Sequence, residues 1–312
     1  MNNPFEISFS SFFKKVYSIF KETFNAFLDD NVMKLSAALS YYTIFSLPPL
    51  LIIIISITGI FFGNEAVRGQ LFGQINGLVG NDAAAQIQEA IKNVSLSRST
   101  KFATTLGIII LFVGASGVFS EIQDSINYIW GIRAKPKRGI FRFVMNRLMS
   151  FSMIGSLGFL LMVGLIINSI TDILYQRLEF YFPNEAVFFF SALNLIIVFI
   201  ITSLLFTLIF KTLPDGKVAT KSAIIGGAFT SFLFMIGKFA IGAYLGSSTI
   251  ASVYGAAGSI VVILVWVYYS AIILYFGAEF TKVFAEAHGQ KIIPNHYSVE
   301  IEKTCPEVEI EA

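Results

Sequence analysis

The sequence predicts an all-α, polytopic membrane protein with six transmembrane helices and with both termini in the cytoplasm. Of the 312 residues, 55% are hydrophobic and 13% are charged, and the apolar residues are gathered in runs of about twenty, the length that crosses a bilayer. Soluble domains carry about a quarter charged residues, so this composition excludes a soluble globular enzyme and a disordered chain. The single cysteine, Cys305, lies near the C-terminus and excludes a disulfide framework.

Six apolar runs are each long enough to cross about 30 Å of hydrocarbon at about 1.5 Å per helical residue. The first run begins too late in the chain, and continues for too long, to be a cleavable signal peptide. We therefore expect it to remain in the membrane as a signal anchor. The six predicted spans are 36–62, 103–120, 148–170, 186–210, 219–243 and 257–280.

Lysine and arginine determine the predicted orientation. Sixteen of the 22 basic residues lie in the leader, in the segments 131–147 and 211–221, and in the chain after the sixth span. Five lie in the alternate loops, and Lys238 lies inside the fifth span. Because cytoplasmic segments collect basic residues, both termini are predicted to be cytoplasmic, which agrees with an even number of spans.

The chain divides into three parts on this basis. The leader 1–34 repeats apolar residues at helical spacing between lysines, which predicts an amphipathic helix over 8–30. Such a helix would rest on the inner leaflet or dock on the protein's own cytoplasmic loops, and the pattern leaves both alternatives open. The six-span membrane domain follows at 35–288. The tail 289–312 is acidic, lacks a sustained apolar period and is predicted to be disordered.

The first external loop, 64–101, is long enough to contain secondary structure. Its apolar residues recur at near-helical spacing in two segments, and Asn81 and Asp82 between them are candidate N-caps for the second. The pattern predicts a pair of amphipathic helices at the outer surface. They would form either a lid or a structural cap over the bundle.

Two consecutive prolines, Pro48 and Pro49, interrupt the first span. Neither can donate a backbone hydrogen bond, and each ring clashes with the carbonyl four residues before it. Unpaired backbone groups are costly in hydrocarbon, so the break must face protein or water. Polar side chains precede it, among them Tyr41, Tyr42 and Ser46. This pattern is typical of the broken helices that line transporter sites, and a packing kink satisfied by neighbouring hydroxyls is the alternative.

Small residues mark the start of the sixth span, in the sequence that includes Tyr254, Gly255 and Gly258. Such residues allow close helix packing, and a flexible gate is the functional alternative. Later in the span, Tyr269 is one of several aromatic side chains with polar tips at mid-depth, where a buried hydroxyl needs a partner.

Ionisable residues near or within the spans are few. Lys238 is predicted to lie close to the outer interface, where it would reach the headgroups by snorkelling or guard an external vestibule for anionic groups. Glu279 is predicted at the inner interface with Lys282 one turn further on, and Glu121 and Asp124 follow the second span. Structural ion pairing and proton coupling are the alternatives for these acids.

Three segments together resemble the YihY/BrkB family of bacterial inner-membrane proteins. They are LSAALSYYTIFSLPPLL at 35–51, GVFSEIQDSINYIWGI at 117–132 and YGAAGSIVVILVWVYYSAIILYFGAEFTKVFA at 254–285. The resemblance extends from about residue 20 to 290 and implies six spans in the cytoplasmic membrane. Members have been described as envelope-integrity proteins and candidate transporters, and an older label called them tRNA-processing ribonuclease BN.

The sequence favours a transporter or flippase for an amphiphilic or anionic envelope component. A structural or scaffolding membrane protein is the alternative, and a ribonuclease fits least, because both histidines lie beyond the last span and no acids have metal-ligand spacing. No enzyme activity, cofactor or metal is expected. Membrane lipids are the expected partners, an anionic or lipid-like substrate and a homo-oligomer are further candidates, and no nucleic acid is expected.

Overall fold

The computed structural model describes residues 4–46, 117–134, 183–247 and 258–301. These residues are mostly helical, and four short strands form two antiparallel pairs, β1 with β4 and β2 with β3. The all-α prediction therefore holds apart from these small pairs. In chain order the elements are α1 Pro4–Asp29, α2 at 32–46, α3 at 117–129, β1 Ile132–Ala134, α4 Pro183–Thr212, β2 Gly216–Lys217, α5 Thr220–Ser247, α6 Gly258–Ala287, β3 Ile293–Pro294 and β4 Ser298–Glu300.

Three of these helices are long and apolar enough to cross a membrane. The qualifying stretches are Ala192–Thr212 in α4, Thr220–Ile241 in α5 and Ile260–Ala287 in α6. They match the last three predicted spans. The sixth helix continues seven residues beyond the predicted end at residue 280, because Val283 and Ala285 are apolar residues that remain buried.

Several predictions lie outside the described residues. These are the helix pair at 64–101, the span 148–170, the first span beyond Ser46 and most of the span 103–120. The number of six spans and the cytoplasmic position of both termini therefore stay predictions. Helix α3 covers 117–129, so Glu121 and Asp124, which follow the predicted second span, lie on a helix.

The leader is helical as predicted, and α1 and α2 are joined by a tight turn. Asn31 adopts a positive φ of 51° there, a conformation that asparagine tolerates better than most residues. Helix α4 packs against α5, α5 packs against α6, and α6 packs against α1.

The largest apolar cluster lies where α2, α3, α4 and α6 meet. Ile126 and Ile129 of α3, Phe210 of α4 and Tyr275 of α6 are fully buried in it. Tight packing of large side chains makes such a cluster sensitive to changes of even one methylene group. It fixes the ends of α3, α4 and α6 relative to one another, and with them the loops that continue from those ends.

The expected disorder of the tail is wrong for residues 293–300. Strand β3 pairs with β2, β4 pairs with β1, and the Ile301 amide donates to the Gly131 carbonyl at 2.7 Å. Acidic composition alone predicted disorder, but the backbone groups of this segment find partners on loops far away in sequence. We call residues 129–134, 213–219 and 290–301 together the polar cap. It lies on the side for which the basic residues predict a cytoplasmic position.

Candidate functional site

Helix α2 carries three of the predicted site residues, and two of them are exposed. Tyr41 and Tyr42 have ring centroids 5.9 Å apart, and Tyr41 lies 5.0 Å from the ring of Phe45. Four exposed residues recur every fourth position along this face: Met33, Ala37, Tyr41 and Phe45. Such spacing places them in one stripe along the helix, which we call the α2 stripe.

The buried side of α2 carries serine side chains among apolar ones. Ser46, the third site residue on this helix, packs against Gly117 of α3, where an added β-carbon would lie 3.1 Å from the serine hydroxyl. Ser36 donates to the Val32 carbonyl at 2.8 Å and Ser40 to the Ala37 carbonyl at 2.9 Å. The Ser36 and Ser40 hydroxyls are satisfied within their own helix, so they need no ligand.

A half-open cleft of about 380 Å³ lies where α1 ends and α2 begins. Asp30 is buried there, while Lys34 is exposed on the first turn of α2. The walls therefore combine a carboxylate, a cation, a phenol and an apolar side chain. The lining residues are Asp30, Asn31, Lys34, Leu35 and Tyr128.

Tyr269 of α6 packs against α5 at Gly237, next to Lys238. Gly237, the neighbour of Lys238, packs so closely on α6 that an added β-carbon would overlap the Tyr269 hydroxyl. Lys238 itself is exposed, in agreement with either predicted alternative. Gly258, another site residue, is the first residue of α6.

Glu279 is completely buried on α6, with 0% of its side chain exposed. Its carboxylate therefore has no direct access to solvent in the folded protein. Its predicted position at the inner interface stays a prediction. Lys282, its expected partner one turn further on, donates to the Ile129 carbonyl at 3.0 Å. The ammonium group thus caps the end of α3.

Sequence reasoning missed a reciprocal contact between α5 and α6. An added β-carbon at Gly226 would overlap Thr281, and one at Gly277 would overlap Thr230. Each threonine also donates to the carbonyl of the glycine four residues before it, at 2.7 and 2.6 Å. We call these four residues the glycine–threonine interlock. A small-xxx-small pattern at 226/230 and 277/281 was the available signal, since such pairs mark close helix contacts in membranes.

A second missed feature is the buried hydrogen-bond cluster around Asp215 in the polar cap. Gln123 and Asn127 of α3 donate their amides to the two carboxylate oxygens at 3.0 and 3.1 Å. The Asn127 side-chain oxygen accepts from the Asp215 amide at 2.8 Å. From the tail, the Ser298 hydroxyl and the backbone N–H of Asn295 donate to the backbone carbonyl of Asp215 at 2.7 and 2.9 Å.

The Asp215 cluster therefore joins three segments that are far apart in sequence. Trp130 adds a contact with a fourth segment, α6, since its indole N–H donates to the Ala278 carbonyl at 3.1 Å. Gly131 ends α3 with a positive φ of 66°, the conformation that favours glycine after a helix C-terminus. The motif around residues 117–132 and the tail are thus parts of one packed unit.

Glu121 supplies a testable pH dependence on α3. Partial burial raises the pKa of its carboxyl, the charge of Asp124 raises the pKa further, and the hydrogen bond from Ser125 lowers it. A raised pKa means that the folded state binds this proton more tightly than the unfolded state. The resulting stability is present below the unfolded-state pKa of about 4.3 and is lost as pH rises through the folded-state pKa.

Glu121→Gln is therefore expected to reduce the loss of thermal stability between pH 4 and pH 7. Melting temperatures of wild type and variant, measured across this range in detergent, should show a steeper decline for wild type. Glu286→Gln, at an exposed position on α6, is the matched control. Parallel curves for wild type and Glu121→Gln would contradict the expectation.

The remaining predicted site residues, Pro48, Pro49, Tyr254 and Gly255, lie outside the described residues. Within the described ranges, no group of three or more His, Cys, Asp or Glu side chains could hold a metal ion. The described site residues are divided between two parts of the fold: Tyr41, Tyr42 and Ser46 lie on α2, and Lys238, Gly258, Tyr269 and Glu279 lie on α5 and α6.

Comparison with known proteins decides the family. The sequence model of the family described as Virulence factor BrkB matches residues 23–299. The chain belongs to the BrkB family. The match takes in all three segments on which the sequence resemblance was based, together with all three segments of the Asp215 cluster.

Named relatives of this BrkB family member are membrane proteins. A UPF0761 membrane protein of Vibrio vulnificus is 32% identical over 254 residues, which cover 80% of this chain and 76% of the relative. A UPF0761 membrane protein of Saccharophagus degradans is 28% identical over 290 residues, or 91% of this chain. The match spans 61% of the length of that relative. No solved structure matches the chain.

Proposed function

We propose that this BrkB-family membrane protein moves an amphiphilic or anionic envelope component across the inner membrane. The observation that carries the proposal is the α2 stripe. Tyr41 and Phe45 are exposed on the same helix face that begins beside Lys34 and the cleft. A cation at the helix start followed by apolar and aromatic side chains suits a molecule with a charged headgroup and an apolar tail.

The position of this face along the chain adds support. It lies on the helix that leads towards Pro48 and Pro49, where the sequence requires a break in backbone hydrogen bonding. A headgroup at Lys34 and a tail along Tyr41 and Phe45 would bring the amphiphile to that break. The proposed activity is movement without bond chemistry, and it would be driven by an ion gradient, a downhill substrate or a separate ATPase.

The proposal predicts slower lipid movement when Lys34 or the α2 stripe is changed. Proteoliposomes with a fluorescent anionic phospholipid and an impermeant quencher would measure transbilayer flux. Lys34→Gln and Phe45→Ala are each expected to lower the protein-dependent rate about fivefold, the ratio that corresponds to roughly 1 kcal/mol. Phe232→Ala is the matched control, because Phe232 is an exposed aromatic residue on α5 outside the stripe.

Two results would contradict the proposal. The first is flux by folded wild-type protein at the protein-free rate. The second is an equal reduction in Phe232→Ala, which would assign the effect to general lipid contact.

A scaffolding function is the second candidate, and the glycine–threonine interlock favours it. Close packing through Gly226 and Gly277 makes α5 and α6 a rigid pair, as a structural protein needs. Under this alternative, changes on the α2 stripe would leave envelope phenotypes intact, while changes at the interlock would abolish them.

A further inference from the structure

Helix α1 has one face that is already occupied. Ile19, Thr23 and Phe27 are buried, with Ile19 in a cluster that includes Phe280 and Val283 of α6. Burial of this face packs α1 against the C-terminal part of α6. The remaining surface of α1 is therefore the part available to other partners.

A second face of α1 is apolar and exposed. Five large side chains recur at spacings of four, three, four and four residues, which places them on one side of the helix. Their exposed fractions range from 43% to 71%. A row of this kind, about 22 Å long at about 1.5 Å per residue, is typical of an interaction surface. We call it the α1 stripe, and its members are Phe13, Tyr17, Phe20, Phe24 and Leu28.

The contacts with α6 show that α1 runs obliquely. The ring centroids of Phe20 and Phe280 are 5.9 Å apart, and those of Phe27 and Phe276 are 5.5 Å apart. The contact point therefore moves seven residues towards the C-terminus of α1 while it moves four residues towards the N-terminus of α6. Because Ile260–Ala287 is a candidate span, the C-terminal half of α1 lies nearer to the middle of that span than the N-terminal half.

The lysines of α1 follow the same gradient. Lys14, Lys15 and Lys21 are exposed and lie in the half that is further from the middle of α6. Residues 23–28, with the sequence TFNAFL, carry no charge. Basic side chains near a leaflet surface attract anionic headgroups, and an uncharged apolar face enters the acyl boundary.

We propose that α1 is an obliquely inserted anchor that binds anionic phospholipids of the leaflet on the polar-cap side. Lys14, Lys15 and Lys21 contact the headgroup phosphates. The α1 stripe enters the acyl region progressively, from Tyr17 to Leu28. This interaction is independent of any transport activity, because it requires neither the α2 stripe nor the break in the first span.

Spin labels in nanodiscs test the predicted depth. In a Cys305→Ser background, single cysteines at Tyr17, Phe24 and Leu28 would be labelled in the full chain, with Glu22 as an exposed polar control on the same helix. Accessibility to oxygen relative to a water-soluble nickel reagent should increase from 17 to 24 to 28. The label at 22 should remain accessible to nickel.

Two results would overturn the proposal. Nickel accessibility at 24 equal to that at 22 would place the stripe in water. Exclusion of both reagents at 24, together with spin–spin broadening, would show that a second copy of the chain covers it.

The headgroup part of the proposal has its own measurement. Phosphatidylglycerol nanodiscs should give a greater label depth at residue 24 than phosphatidylcholine nanodiscs. The triple variant Lys14→Gln, Lys15→Gln, Lys21→Gln should remove most of this difference, whereas Lys217→Gln and Lys221→Gln, at exposed lysines outside α1, should retain it. Equal depth in both lipids for the unsubstituted lysines would overturn the role of anionic headgroups.

Discussion

Gly226→Val is expected to reduce folded protein in the membrane to a small fraction of the wild-type level. A β-carbon at this position would overlap Thr281 of α6, so α5 and α6 would have to separate. Overpacking of a close contact costs about 1–3 kcal/mol and occasionally more, and here two main chains must move. Thermal stability measured by fluorescence-detected size-exclusion chromatography in detergent would report the loss.

Ala228→Val is the matched control for this substitution. Ala228 lies two residues further along α5 and is half-buried, so the same side chain is introduced on the same helix away from the interlock. A second test is the pair Gly226→Ala and Thr281→Ala. If the two residues are in contact, the double variant should lose less stability than the sum of the single variants. A Gly226→Val protein as stable as wild type would contradict the interlock.

Asp215→Ala is expected to destabilise the polar cap by about 3 kcal/mol or more, since each hydrogen bond to a charged group contributes about 1.5–3 kcal/mol. The change leaves the buried amides of Gln123 and Asn127 without their carboxylate acceptors. Asp215→Asn should be intermediate, because one oxygen remains but an amide donor now faces another amide donor. Melting temperatures would rank the three proteins.

Tail release gives a local readout for the same substitution. Lys291 is exposed beside β3, and trypsin should cut there faster in Asp215→Ala than in wild type. Asp29→Ala, at an exposed acid on α1, should leave both the melting temperature and the cleavage rate unchanged. Unaltered cleavage in a destabilised Asp215→Ala protein would show that the tail is held independently of the cluster.

Sequence patterns predicted the features that depend on local composition. The helices that contain the last three predicted spans need only about twenty consecutive apolar residues each, and α1 needs only a helical period. The Asp215 cluster could not be predicted in this way, because Gln123 and Ser298 have no periodic relation to Asp215. Each is an ordinary polar residue until the chain folds. The tail was misjudged for the same reason, since its strands depend on partners in distant loops.

The predicted site residues show the same difference between local patterns and long-range contacts. Tyr41 and Tyr42 were recognised from their proximity to the prolines, and the structure shows that both are exposed and that Tyr41 contacts Phe45. Glu279 was recognised as an acid near the membrane, but its complete burial depends on neighbours from other helices. The interlock required an antiparallel register of α5 and α6, which single-helix patterns do not specify.

The connection between Asp215 and the tail also has a consequence for biosynthesis. The Asp215 carbonyl accepts its bond from Ser298, which is 83 residues later in the chain. At about 5–20 residues per second, the ribosome needs roughly 4–17 s to make that distance. During this interval the membrane helices α5 and α6 can insert while the cap is still open. A chain that terminates before residue 295 would therefore present an unclosed cap to the cell's quality-control proteases, whereas the last strands made would protect the finished protein.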